Sequence, residues 1–236
     1  MAPRQTTASS NPVPMGMVGR VLGLCYDAGP LPVMLWGPPG IGKSSLVRQF
    51  AADRGLPFVD IRLPLYDPVD IKGIPGLHDV LVEINGVQSQ MKVTKFFSPD
   101  FLPRGRCCIL FDELAGALPA TQIAAQRIVL DRSLDSGWEA HPETIIVAAS
   151  NRRADRSGSH ALLQSLDNRF IHCEVVPDPE FWSQWLLTHY SSSSLARRAA
   201  SAIVAFVKFR PELAYKFDPD ASARDIHGFP SFRPWE

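Results

Sequence analysis

This sequence has little cysteine, no long apolar run and no net charge, and each shortage excludes a class of protein. Its 236 residues include four cysteines, none in a C-x-x-C pair, so neither a disulfide framework nor a cysteine zinc site is expected. Lys and Arg number 24 and Asp and Glu also 24, so charge alone gives no sign of a nucleic-acid-binding protein. Every apolar run is far shorter than the roughly 18 residues of a membrane span. So few cysteines favour a reducing, cytoplasmic setting.

What remains is the composition and pattern of a globular α/β protein. Hydrophobic residues make up 45% of the chain and charged residues 20%, enough apolar material for a sizeable core. Short apolar runs alternate with segments of helical periodicity, which predicts a parallel sheet with helices on both faces. Strands are predicted over 33–36, 58–61, 107–111, 144–149 and 170–175, and helices over 15–29, 43–53, 119–130, 179–190 and 195–209.

Three further stretches stand outside this alternation. Residues 1–14 are dominated by small polar residues and proline, and we expect a flexible tail there. Residues 77–97 hold two extended runs around Asn85-Gly86, which is the strongest short signal for a β-hairpin. Residues 178–236 carry helical patterns followed by an irregular segment rich in proline and aromatic residues. This last stretch predicts a small helical subdomain.

The clearest motif is a glycine-rich segment between a predicted strand and a predicted helix. It reads Gly37-Pro38-Pro39-Gly40-Ile41-Gly42-Lys43-Ser44 and fits G-x-x-x-x-G-K-[ST] in full. The glycines permit a tight turn whose N–H groups point at phosphate oxygens, and the following helix adds its positive dipole end. We expect Lys43 to reach the β- and γ-phosphates and Ser44 to ligate Mg²⁺. The predicted ligand is therefore ATP with Mg²⁺.

Two more predicted strands end in polar side chains that suit phosphate chemistry. The run Cys107–Phe111 ends at Asp112 and Glu113, and Ile145–Ala149 is followed closely by Asn151. Because the carboxyl ends of parallel strands meet at one edge of a sheet, we expect these side chains beside the glycine-rich loop. Asp112 is predicted to hold the Mg²⁺ hydration shell, Glu113 to polarise a water against the γ-phosphate, and Asn151 to orient that water. An acidic pair in this position favours hydrolysis over binding alone.

Taken in order, the motifs resemble those of the AAA+ ATPases and, within them, the MoxR-like group of the dynein-related AAA subfamily. Four segments resemble named motifs of that group: Walker A at Trp36–Ser45, Walker B at Phe111–Leu114, sensor 1 at Ala149–Arg152 and the arginine finger at Leu166–Phe170. A fifth, Asp70–Pro75, resembles the element that precedes an inserted hairpin in the group. The resemblance covers residues from about 15 to 236. It implies a P-loop AAA+ domain over 15–177, with the hairpin inserted at about 77–97, and a helical lid over 178–236.

The resemblance also implies a ring, commonly a hexamer, with ATP bound between neighbouring chains. Arg169 would then act on the nucleotide of the adjacent chain, where an arginine is worth roughly 10³–10⁵ in rate. Ser45 completes the Walker A segment, and Arg233 is similar to the sensor 2 arginine. The family's pattern continues into further lid helices, whereas this sequence stops three residues after Arg233, so we expect either a partial lid or an Arg233 that is held by a neighbouring chain. Four other arginines are weaker candidates for the trans role or for contacts between chains, namely Arg127, Arg132, Arg152 and Arg153.

By this resemblance the chain is expected to use ATP hydrolysis for chaperone-like remodelling of a protein partner, often beside a protein with a von Willebrand A domain. The hairpin would then be either a surface feature or the part that faces a partner or the pore. Two alternatives stay open. One is a nucleotide-gated scaffold with little turnover, which a partial lid favours. The other is a nucleic-acid motor or loader, against which the zero net charge stands. No membrane contact is expected, and the six histidines are too scattered to predict a zinc site.

Overall fold

The computed structural model describes residues 12–84, 87–152, 155, 161–191, 194–218 and 229–233. Several sequence-based predictions lie outside these residues: most of the expected tail (1–11), the Asn85-Gly86 turn, Arg153, and parts of the expected lid (219–228 and 234–236). In chain order the elements are β1 (Val13–Pro14), α1 (Met15–Asp27), β2 (Val33–Trp36), α2 (Lys43–Asp53), β3 (Phe58–Arg62), α3 (Pro68–Lys72), β4 (Ile74–Ile84), β5 (Val87–Phe97), β6 (Cys108–Asp112), α4 (Pro119–Leu130), β7 (Ile145–Ser150), α5 (Gln164–Asp167), β8 (Ile171–Val176), α6 (Pro179–His189) and α7 (Ser194–Phe209).

Six of the strands form one sheet in the order β1-β8-β2-β7-β6-β3. Every neighbouring pair is parallel, which confirms the parallel sheet expected from the alternation of strands and helices. β2 lies between β7 and β8, and β6 lies on the far side of β7. β2, which leads into the glycine-rich loop, therefore lies next to β7, which leads to Asn151. β6, which ends at Asp112, lies on the other side of β7.

Helices cover both faces of the sheet because successive strand residues point to opposite sides. On β7, Val147 and Ala149 belong to one apolar cluster, whereas Ile146 and Ala148 belong to the other. The first cluster packs under α1, α2, α6 and α7, and the second packs under α3, α4 and α5. The helices after residue 178 thus share a core with the helix that follows the glycine-rich loop.

Local sequence explains where the helices begin. α2 begins at Lys43 because Gly42 before it adopts the left-handed backbone, with φ of 84°. α4 begins at Pro119, whose fixed φ suits the first position of a helix. α6 follows Asp178, whose side chain accepts a hydrogen bond of 2.9 Å from the Phe181 N–H. The observed bounds of α2 and α4 equal the predicted ones.

β4 and β5 form a long antiparallel hairpin apart from the main sheet. It begins at Ile74, three residues before the predicted start at 77. Gly73 makes the turn into it with φ of 95°, and a Cβ there would lie 2.0 Å from the Phe97 carbonyl oxygen, so only glycine fits. The hairpin keeps large apolar side chains in solvent, among them Leu77 at 74% and Leu81 at 73% exposure.

One expected boundary needs correction at the start of the chain. Val13 and Pro14 form β1 and pair with Val175 and Val176 of β8, so they belong to the sheet and not to a tail over 1–14. Two residues carry no periodicity, and only a partner distant in sequence defines such a strand. Among the described residues, no helix is both long enough and apolar enough to cross a membrane.

Candidate nucleotide-binding site

A polar cleft lies at the carboxyl edge of the sheet, where β2, β6 and β7 end. Parallel sheets bind their ligands at this edge. Gly37 and Pro38 are buried at the start of the loop, and their carbonyl oxygens accept hydrogen bonds from Lys43. The cleft is lined by Pro39, Gly40, Ile41, Gly42, Lys43, Ser44, Ser45, Asp112, Glu113, Ser150, Asn151 and Arg233. The structure thus brings together the residues predicted to contact nucleotide or Mg²⁺, except Gly37, Pro38 and Arg169, which do not line the cleft.

The loop between β2 and α2 has a backbone that requires glycine. Gly40 and Gly42 have φ of 74° and 84°, in the left-handed region. A Cβ at Gly40 would also lie only 2.7 Å from the Ser231 hydroxyl oxygen. Ile41, between the two glycines, is fully buried and anchors the loop to the core. The positive end of the α2 dipole is consequently held at the cleft, where it favours a bound anion.

Lys43 is the buried cation of the cleft. Its Nζ donates to the carbonyl oxygens of Gly37 at 2.7 Å and Pro38 at 3.0 Å, and to Oδ1 of Asn151 at 2.9 Å. Burial lowers the pKa of Lys43 to about 8, while the nearby Asp112 carboxylate opposes that shift. An ammonium group has three donors, and all three have acceptors from this chain. Phosphate oxygens could replace these acceptors without displacing the side chain from the cleft.

Ser44 and Asp112 form the part of the cleft that suits a hard cation. The Ser44 hydroxyl donates to Oδ2 of Asp112 at 2.8 Å. Hydroxyl and carboxylate oxygens are Mg²⁺ donors, and Mg²⁺ usually takes one or two protein ligands and fills the rest of its shell with water and phosphate. Within the described part of the chain, no group of three or more His, Cys, Asp or Glu side chains could hold a metal by itself. The donor set therefore fits Mg²⁺ that arrives with a phosphate ligand.

Glu113 lies directly after β6 with an uncommon backbone. Its φ of 56° is left-handed, which non-glycine residues adopt rarely and mostly where the surroundings enforce it. The turn that follows is fixed by Ser150 at the end of β7, whose hydroxyl oxygen accepts from the Ala115 N–H at 2.8 Å. Ser150 is buried and was not predicted, because a serine at a strand end carries no signal of its own. The result is a fixed turn that presents an exposed carboxylate at the cleft.

The C-terminal segment contacts the same cleft. Phe232 is fully buried and stacks on Trp182 with ring centroids 5.1 Å apart, which places the adjacent Arg233 at the cleft wall. Tyr215 donates its hydroxyl to the Pro39 carbonyl oxygen at 2.8 Å, and burial raises the pKa of Tyr215, which keeps this donor protonated. Sequence reasoning missed Tyr215 because nothing near it in the chain indicates the loop.

Arg169 lies outside the cleft of its own chain. It is exposed just before β8, between the buried Leu166 and Phe170. Its expected action on a neighbouring chain stays a prediction. The weaker arginine candidates have partners within the chain that favour structural roles, and Arg153 lies outside the described residues. Arg127 pairs with Asp131 and Asp135, Arg132 donates to the carbonyls of His141, Pro142 and Thr144, and Arg152 pairs with Asp155 and Glu174.

A glycine loop at a helix start, a buried lysine and a Ser–Asp pair at one sheet edge define a P-loop nucleotide-binding protein. The profile of the ATPase family associated with various cellular activities (AAA) matches residues 33–174, more than half of the chain. This chain therefore belongs to the AAA family. The matched region runs from the start of β2 into β8, so it includes the strand ends that build the cleft.

Two solved structures share this fold. A proposed ATPase from Cytophaga hutchinsonii matches with a TM-score of 0.51 and 18% identity, over 84% of this chain and 62% of that one. A RuvB variant from Thermotoga maritima matches with a TM-score of 0.51 and 16% identity, over 89% of this chain and 68% of that one. The chain thus spans less than two thirds of the first protein's length. At such identities the likeness supports the fold alone.

Proposed function

We propose that this chain is an ATP-hydrolysing AAA+ ring protein of MoxR type that remodels a protein partner. The observation that carries the hydrolytic part is the linked geometry of the cleft. Lys43 bonds to Asn151 at 2.9 Å and Ser44 bonds to Asp112 at 2.8 Å, so residues far apart in sequence meet at one edge. Glu113 stands beside them in a left-handed turn. A cleft that only held nucleotide would not need this last carboxylate.

In the proposed mechanism each side chain has one task. Lys43 would exchange its carbonyl partners for β- and γ-phosphate oxygens and so neutralise their charge. Ser44 and Asp112 would hold Mg²⁺, which when bound draws charge from the phosphate oxygens. The Glu113 carboxylate would accept a proton from the attacking water, and Asn151 would orient that water.

Arg169 would complete the site of the next chain in a ring, which the resemblance makes a hexamer. The supporting observation is that Arg169 is exposed and does not line the cleft of its own chain. An arginine at the developing γ-phosphate charge is worth roughly 10³–10⁵ in rate, so a separated chain would turn over slowly. Arg233 would contact the nucleotide from its own lid.

The partner side of the proposal rests on the resemblance and on the hairpin. A protein substrate, with a von Willebrand A domain protein as an associate, is the proposed target of the mechanical work. The β4–β5 hairpin offers exposed apolar side chains such as Leu77 and Leu81 for such a contact. The cytoplasmic location that we propose agrees with four free, buried cysteines.

The test is a Glu113→Gln variant assayed for both binding and turnover of ATP. Loss of the proton acceptor should lower turnover by roughly 10²–10⁴-fold and leave ATP affinity within about threefold. Glu143→Gln is the matched control, because Glu143 precedes β7 and so lies at the opposite end of that strand from Asn151. Unchanged turnover in Glu113→Gln would overturn the assignment. ATP binding by the parent chain without turnover would replace it with a nucleotide-gated scaffold.

A further inference from the structure

His172 on β8 joins the strand before the P-loop to the turn that carries Arg169. Its Nδ1 accepts a hydrogen bond from Trp36 Nε1 at 2.8 Å, and its Nε2 lies 2.7 Å from the Asp167 carbonyl oxygen. Trp36 is the residue immediately before Gly37, where the P-loop starts. Asp167 stands two residues before Arg169. One imidazole ring therefore bridges two segments that belong to different parts of the proposed mechanism.

The chemistry of the two partners fixes the state of the ring. An indole N–H only donates, so Nδ1 of His172 must be an unprotonated acceptor. A carbonyl oxygen only accepts, so Nε2 must carry the proton and donate to Asp167. The bridge thus requires the neutral Nε2–H tautomer, whose Nε2 also lies 3.5 Å from Oδ1 of Asp167.

The bond to Asp167 satisfies a carbonyl at the end of a very short helix. α5 has only four residues, and a helix this short gains little from its own hydrogen bonds. The carbonyls of its last turn have no partner inside the helix, and Asp167 is its last residue. Nε2 of His172 supplies the missing donor. The backbone that leads to Arg169 is therefore held at a defined point.

β8 also contacts the start of the P-loop of its own chain. A Cβ at Gly37 would lie 2.7 Å from the Val175 carbonyl oxygen, so the P-loop starts in direct contact with this strand. Glu174, two residues after His172, accepts from Arg152 at 2.8 Å, and Arg152 follows Asn151. The strand that carries the bridge is thus connected to both the P-loop and the strand end that bears Asn151.

We propose that His172 is a positioning residue that fixes the backbone before Arg169 so that this arginine reaches the neighbouring chain's nucleotide. The inference rests on the proposed function, because the proposed action of Arg169 requires a neighbouring chain in a ring. His172 does not line the nucleotide cleft. It acts through the Asp167 carbonyl, and the bond from Trp36 holds the ring in the tautomer that donates to that carbonyl.

The test is a double-mutant cycle on ATP turnover of the full chain with His172→Ala, Arg169→Ala and the double variant. His172→Ala should lower kcat about tenfold with KM within about twofold, because small displacements of a catalytic group cost up to about 10²-fold. In the Arg169→Ala background the same change should have no further effect, because the residue through which it acts is gone. His141→Ala, in the segment before β7 and outside the bridge, is the matched control. Light scattering on each variant checks that assembly is unchanged.

Conservative variants separate the two bonds of the bridge. His172→Gln can place an amide N–H where Nε2 stands and should recover most of the turnover. His172→Asn can place its amide oxygen near Nδ1 but cannot reach Asp167, so it should resemble His172→Ala. If His172 were merely structural, His172→Asn would turn over faster than His172→Gln, or the two variants would turn over equally. In that case the loss of turnover would also follow the loss of unfolding free energy.

Three outcomes would contradict the inference. If Arg169→Ala lowers turnover and His172→Ala does not, the inference is wrong and the proposed function stands. If the two losses multiply in the double variant, His172 acts independently of Arg169 and the inference is again wrong. If Arg169→Ala turns over at the parent rate, the trans role of Arg169 fails and the inference fails with it.

Discussion

The carboxyl edge of the sheet and the β4–β5 hairpin differ in how their side chains are satisfied. At the sheet edge, polar groups such as Lys43, Ser44 and Asp112 have partners from their own chain at hydrogen-bond distance. In the hairpin, large apolar side chains such as Leu77 and Leu81 stand in solvent along an isolated pair of strands. A two-stranded hairpin is marginal by itself. The contrast shows that the polar groups of the nucleotide cleft are paired within the chain, whereas the described part of the hairpin leaves apolar side chains exposed to solvent.

Removal of the Lys43 side chain should change nucleotide binding more than any other substitution proposed for the sheet edge. Lys43→Ala removes the charge that faces the phosphates together with three hydrogen bonds to the loop and Asn151. We expect ATP binding to be lost, measured by calorimetric titration. Lys208→Ala, an exposed lysine on α7, is the matched control and should bind like the parent. Retained binding in Lys43→Ala would show that the cleft does not depend on its buried cation.

A pair of identical substitutions compares the two regions in stability. Leu110→Ala in β6 removes a fully buried side chain and should cost roughly 2–5 kcal/mol of unfolding free energy. Leu81→Ala in the hairpin removes a side chain that is 73% exposed and should cost less than about 0.5 kcal/mol. Urea unfolding of both variants measures the difference. Equal costs would mean that the hairpin is packed in solution, for example against another chain.

A weaker effect is expected from the protonation of Lys43, which should be coupled to nucleotide binding. Because burial lowers the pKa of Lys43 to about 8, this lysine is largely neutral at pH 8.5 in the free chain. Phosphate favours the charged form, so nucleotide binding should take up roughly three quarters of a proton at pH 8.5 and about a tenth of a proton at pH 7. Calorimetry in two buffers of different ionisation enthalpy measures the uptake. An uptake that does not change between the two pH values would contradict the lowered pKa.

The lowered pKa of Lys43 also determines how its contribution to the free energy of unfolding changes with pH. Lys43 binds its proton less tightly in the folded chain than in the unfolded chain, where its pKa is near 10.5. Between about pH 8 and 10.5 the unfolded state therefore binds more protons, so this residue raises the stability as pH rises through that window. Below pH 8 the lysine is charged in both states and its contribution no longer changes with pH.

Local signals predicted much of the fold and the centre of the site. α2 and α4 have their predicted bounds because Gly42 and Pro119 mark their starts, and the P-loop residues follow from one contiguous motif. Long-range contacts could not be predicted in this way. β1 exists only through its pairing with Val175 and Val176 of β8, and the Tyr215 bond to Pro39 joins residues 176 positions apart. No single-residue pattern indicates such a partner.

The most direct test of the account is steady-state ATP turnover per chain as a function of protein concentration, with mass measured by light scattering in the same samples. If Arg169 completes the neighbour's site, turnover per chain should rise as the single chains assemble into rings. A mixture of Arg169→Ala and Lys43→Ala chains should then recover activity that neither has alone. Turnover per chain that stays constant from the single chain to the assembled form would contradict a nucleotide site shared between chains.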